Sequence, residues 1–211
     1  MRRRAPLTFA LLVIITLIWL FEAATKAQYD NEKLAALGAI LPGTLQRGEY
    51  WRLLAAMFLH GGWLHWASNS WALYQLGSLY EILFGTRRFA IVYFVSGICA
   101  SAASAAHLMN EPAVGASGAI FGILGAFIFS IRRSPRYRHQ PWTRSLVGQL
   151  VFWIGLNIVI GFSVPHIDNV AHIGGLITGL ILGFLPHREP PPPPAESVID
   201  VEPGQYHYGS E

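Results

Sequence analysis

Long apolar stretches alternate along this chain with polar connections, some of them short and arginine-rich. An apolar run of about 18 or more residues with few charges is long enough to cross a bilayer as a helix. Six stretches meet or approach that length: residues 6–24, 63–84, 89–109, 116–131, 145–162 and 169–185. The fourth is short and rich in Gly and Ala. Lipid cannot satisfy free backbone groups, so helices are the expected form. Barrel strands would alternate at every second residue, and these runs do not. The predicted fold is an all-α membrane protein, a six-helix bundle over residues 1–187. Residues 188–211 hold a proline run at 190–194 and an acidic, apolar-poor end. They are expected to form an extended or disordered cytoplasmic tail.

The connection at residues 25–62 is long and mixes Pro42, Gly43 and Gly48 with apolar and aromatic residues. Such a segment usually carries short structure of its own or a function. The other connections set orientation through their Arg and Lys residues. With the N-terminus inside, eleven basic residues face inward: Arg2, Arg3, Arg4, Arg87, Arg88, Arg132, Arg133, Arg136, Arg138, Arg144 and Arg188. Four face outward: Lys26, Lys33, Arg47 and Arg52. Both termini are therefore expected in the cytoplasm. Trp51, Trp63 and Trp66 fall near the outer interface and Trp142 near the inner one. Arg2–Arg4 and the first apolar stretch mimic a secretory signal. Thr25-Lys26-Ala27 is a poor cleavage site, however, and the stretch is expected to remain as a span.

Composition supports this layout. The chain is 53% hydrophobic and 13% charged, against about a quarter charged in a soluble domain. The net charge of +3 does not signal nucleic-acid binding, because the Arg residues lie between apolar stretches rather than on one basic face. The single Cys99 can form no intrachain disulfide.

Polar residues inside spans are costly and mark sites. The candidates are His65, Asn69, Glu81, Ser117, Asn157 and His172. In the expected topology Ser117 sits at the outer end of the fourth span. His172 lies about 6 Å into the sixth span, at 1.5 Å per residue. His65 and Asn69 occupy the first two turns of the second. Three helices thus bring polar groups to one shallow outer layer. A serine hydroxyl becomes a nucleophile when a base lies within hydrogen-bond reach. Helices approach that closely where small residues recur at every fourth position. Gly118, Gly122 and Ala126 do so in the fourth span, and Ala171, Gly175, Gly179 and Gly183 in the sixth. Ser117 in the first turn would have unpaired N–H groups beside it. Asn69 and His65 add side-chain donors for an oxyanion. Asp168 is read as the cap of the sixth span rather than as a third catalytic residue. Glu81 is expected to anchor loop backbone or an Arg, Asn157 to bond between helices, and Arg52 to anchor the outer loop. His60 and His65 lack the partners of a metal site, so no metal or cofactor is expected.

Gly115-Ala116-Ser117-Gly118 and Ala171-His172-Ile173-Gly174-Gly175 resemble the two signature motifs of the rhomboid intramembrane serine proteases. His60-Gly61-Gly62-Trp63-Leu64-His65-Trp66-Ala67-Ser68-Asn69 resembles the family's second-helix motif. Glu49-Tyr50-Trp51-Arg52 and the Gly77-to-Glu81 element also resemble family features. The match runs in order from about residue 6 to residue 186. It implies Ser117 as nucleophile and His172 as general base, a dyad without aspartate. It implies an oxyanion site from His65, Asn69 and the Ser117 amide, with Gly115 and Ala116 beside it and Gly118, Phe121 and Gly175 in support. Where some members carry Tyr after the serine, this chain has Phe121, so ring packing on His172 remains and a phenolic hydrogen bond does not. The implied activity is an endopeptidase cutting transmembrane segments of other membrane proteins near the outer face. The expected location is a prokaryotic plasma membrane, since no organelle-targeting extension is evident. Two rivals stand beside this reading: an inactive relative that binds membrane clients, and a small transporter. Retention of both Ser and His disfavours the first, and the shallow clustering of polar groups disfavours the second.

Overall fold

A computed structural model of the chain describes residues 5–107, 112–164 and 167–186. The expected tail falls outside these residues, as do Arg2–Arg4 and His166. Helix α1 runs Pro6–Thr25. The long connection folds into two short helices, α2 (Asn31–Leu37) and α3 (Arg52–Ala55), each flanked by a 3₁₀ turn. Helix α4 (Trp63–Ala72) passes through a π-helical turn, Leu73–Gly77, into α5 (Ser78–Phe84). Then come α6 (Thr86–Ala106), α7 (Ser117–Arg133), α8 (Pro141–Ser163) and α9 (Asn169–Phe184). Each of the six apolar stretches has become one helical segment. Among the described residues, α1, α6 and α8 are long and apolar enough to cross a membrane, and α9 is a shorter apolar helix. The described residues form no strand beyond one isolated antiparallel bridge between Ile40 and Ala113.

Helix α7 is the hub. Twelve of its residues are buried, from Gly118 to Ile131, and it packs against both α6 and α9. Its own Ile123 and Phe127 are fully buried, as are Tyr80, Phe89 and Tyr93 of the same core. Helix α8 lies at the margin: Val151, Phe152, Trp153 and Phe162 are exposed, as residues facing lipid would be.

The ends of the helices are tied by polar side chains. Helix α1 begins at Pro6 without a side-chain cap of its own. Its first N–H groups point at Glu81 on α5, which accepts from Leu7 N at 3.0 Å, Thr8 N at 2.8 Å and Thr8 Oγ1 at 2.7 Å. A carboxylate suits the positive end of a helix dipole. Glu81 also accepts from Thr86 Oγ1 at 2.8 Å, joining α1, α5 and α6. Glu81 is thus an anchor, as expected, though its partner is a helix start rather than a loop or an Arg. Arg88 on α6 does the converse. It donates to the carbonyl of Leu182 at 2.7 Å and to Tyr80 Oη at 3.1 Å, serving the last carbonyls of α9.

In the long connection between α1 and α4, Asp30 caps α2 by accepting from Glu32 N and Lys33 N. Arg52 donates to Glu49 at 2.8 Å and to the carbonyls of Ala39 and Ala35. Arg47 and Arg52 hold the Glu49 carboxyl below the usual carboxylate range. Arg52 does anchor the loop. Asn157 does not bond between helices: its amide donates to the carbonyl of Trp153, one turn back on its own helix, at 2.8 Å. On this outward-facing helix, its own backbone is the partner in reach. The α8–α9 link comes instead from Asn169, which donates to Ile158 O at 3.2 Å.

Candidate active site

Ser117 opens α7, preceded by a turn in which Gly115 adopts φ +128°. Only glycine holds such a conformation without strain. His172 lies in the first turn of α9 and is buried. Its Nε2 is 2.9 Å from Ser117 Oγ. With the ring proton on Nδ1, the serine hydroxyl donates to Nε2, the arrangement that lets an imidazole accept the proton of an attacking hydroxyl.

The two helices meet backbone to backbone. A Cβ added at Gly175 would collide with the carbonyl of Gly118, one at Gly179 with that of Gly122, and one at Gly183 with that of Ala126. The small residues of α9 therefore face α7 directly. Those of α7 also make room for α6: a Cβ on Gly118 would strike Ala100, and one on Gly122 would strike Ser96. Without these glycines α9 would stand off and the histidine would miss the serine.

Phe121, one turn after Ser117, stacks on the His172 ring at 4.2 Å between centroids and 9° between planes. Asp168 does not bond to the imidazole. Its Oδ1 accepts from Ala171 N at 2.9 Å and its Oδ2 from Ser104 Oγ on α6. It caps α9 and fastens the start of that helix to α6. The Nδ1 of His172 is buried with no hydrogen-bond partner among the described residues.

Beside the serine lies a set of donors. Asn69 is buried on α4, and among the described residues its Nδ2 has no hydrogen-bond partner. A buried polar group without a partner is uncommon and calls for an explanation. A Cβ on Gly115 would lie 2.7 Å from Nε2 and Cε1 of His65 and 3.6 Å from Asn69 Nδ2. Residue 115 thus leaves open the space onto which both side chains look. The structure brings Ser117, His172, His65, Asn69, Gly115, Ala116, Phe121, Gly118 and Gly175 to one end of the bundle. Glu81 stands apart from it, and Asn157 bonds its own helix rather than this group. Among the described residues no group of three His, Cys, Asp or Glu side chains is placed to hold a metal.

A profile of the Rhomboid domain matches residues 47–189 of this chain. The chain belongs to the rhomboid family. Rhomboid protease GluP of Bacillus subtilis is 40% identical over 71% of this chain and 29% of its own length. The mitochondrial RHOMBOID-like protein 6 of Arabidopsis thaliana is 38% identical over 75% of this chain and 50% of its own length. RHOMBOID-like protein 7 of the same plant is 34% identical over 83% of this chain and 55% of its own length. This rhomboid therefore spans about a third to a half of the length of these relatives.

One buried acidic residue near the site is not among the candidates that the sequence singles out, and its partner His60 is there only as a rejected metal ligand and part of the second-helix motif. Glu22 on α1 is fully buried, and its carboxylate accepts from the backbone N–H of His60 at 3.2 and 3.3 Å. The signal was present: Glu22 is the only charged residue in the first apolar stretch, and a charge inside a span is a site candidate by default. Ser104 was also missed, because a serine among small residues carries no pattern of its own.

Proposed function

We propose that this rhomboid is a serine endopeptidase that cuts transmembrane segments of other membrane proteins with a Ser117–His172 dyad. The observation that carries the reading is the 2.9 Å approach of His172 Nε2 to Ser117 Oγ. A substrate segment unwinds locally at the outer end of the bundle. His172 Nε2 takes the Ser117 proton as Oγ bonds to the scissile carbonyl carbon. The carbonyl oxygen becomes an oxyanion held by Asn69 Nδ2, by the His65 ring and by the backbone N–H of Ser117. The C–N bond breaks as His172 returns the proton to the leaving amine. The ester on Ser117 is then hydrolysed by water that His172 deprotonates, which frees the serine. Stacked on the ring, Phe121 holds the imidazole plane through both steps. Asp168 stays at its cap.

In this reading the six helical segments all cross the membrane of a prokaryotic cell and both termini face the cytoplasm. The site opens to the outer side. Substrates are membrane proteins with small or helix-destabilising residues at the cut. Residues 1–187 form the protease domain, and 188–211 are a separate tail. Ser117→Ala is expected to abolish cleavage of a reporter membrane substrate while the protein still inserts and keeps its helicity. Undiminished cleavage by that variant would overturn the assignment.

A further inference from the structure

The buried Glu22–His60 pair lies outside the chemistry just described, yet it leads to it. His60 is wholly inaccessible, and among the described residues its ring makes no full hydrogen bond, only a loose approach to the Phe58 backbone. A buried histidine so weakly partnered is expensive as mere filler, since desolvated polar atoms cost free energy. What the ring does touch is His65: the two rings pack edge to face with centroids 5.2 Å apart. His65 in turn borders the space beside Gly115. The His60 backbone is held from the other side, because its N–H donates into the Glu22 carboxylate of α1. Gly62, at φ +134°, then turns the chain from His60 into α4, where His65 sits.

We infer that Glu22 and His60 are positioning residues for His65: Glu22 fixes the loop at His60, and the His60 ring braces the His65 ring against the oxyanion space. This rests on the dyad reading above. Neither residue touches substrate. Their effect belongs to the transition state, because His65 meets the oxygen only after negative charge has formed on it.

The test is a mutant cycle in the full-length protein, read as kcat and KM on a reporter membrane substrate. His60→Ala and Glu22→Ala are each expected to lower kcat by ~10–100-fold with KM little changed, short of the loss of a whole oxyanion donor. Glu22→Gln keeps an acceptor for the His60 N–H and is expected to restore kcat to near the unmodified level. In a His65→Ala background, His60→Ala is expected to cost nothing further, since residues that act through one another are not additive. The same loss in both backgrounds, or a loss falling on KM, overturns the inference and leaves the dyad standing. Cleavage that survives Ser117→Ala overturns the dyad reading itself.

Discussion

Asn69 carries a buried amide donor that no described residue uses, and it lies beside a space that Gly115 keeps clear. A donor preorganised in this way contributes most when charge develops on the substrate oxygen. Asn69→Ala is therefore expected to lower kcat by roughly 10²–10³-fold, with a smaller effect on KM. Steady-state cleavage in detergent or liposomes measures it, and an unchanged kcat would remove Asn69 from the site. At this scale the sequence was informative where chemistry is rare. Ser117, His172, His65 and Asn69 stood out as polar groups in apolar runs. Asn157 stood out by the same rule yet bonds only its own helix, because a side chain's face is not fixed by its presence in a span. Glu22 was overlooked although the rule applied to it.

The helix pair α7–α9 places Ser117 and His172, the proposed dyad, and its spacing depends on side chains that are absent. Gly179 packs against the backbone of Gly122, a contact that no rotamer change can relieve. Overpacking a well-filled interior typically costs about 1–3 kcal/mol, and a clash with backbone should reach the upper end. Gly179→Val is expected to lower the melting temperature in detergent. It should also abolish activity, because α9 can only retreat and take His172 with it. Normal melting and normal activity in that variant would show that the helices do not depend on the close approach. This stripe was readable because its period of four matches a helix face. The π turn at Leu73–Gly77 was not. It ends at Gly77, where a side chain would meet Leu73, Thr8 and Phe89, and contacts with Thr8 and Phe89 leave no local sequence signature.

Across the whole molecule, the end proposed to carry the catalysis and the end anchored by Glu81 are separate. Glu81 lies sixteen residues after His65 along one helical segment, about 24 Å away at 1.5 Å per residue. It serves α1, α5 and α6 at once. Glu81→Ala would strand several donors, and an unpaired buried donor costs about 1–3 kcal/mol. A clear fall in melting temperature is expected, with kcat per folded molecule nearly unchanged. A selective loss of kcat would mean that the two ends are coupled. The order of the six helical segments was legible from hydropathy alone. The tying of their ends was not, because Glu81–Thr8 and Arg88–Leu182 join residues more than seventy positions apart.

The dyad itself is tested most directly by labelling membranes that contain this rhomboid with a fluorophosphonate and mapping the modified residue by mass spectrometry. Activation of one serine by one histidine requires the label on Ser117 in the unmodified protein and its loss in His172→Ala, with labelling retained in Asp168→Asn. A label on another residue, or labelling of Ser117 undiminished by His172→Ala, would contradict it.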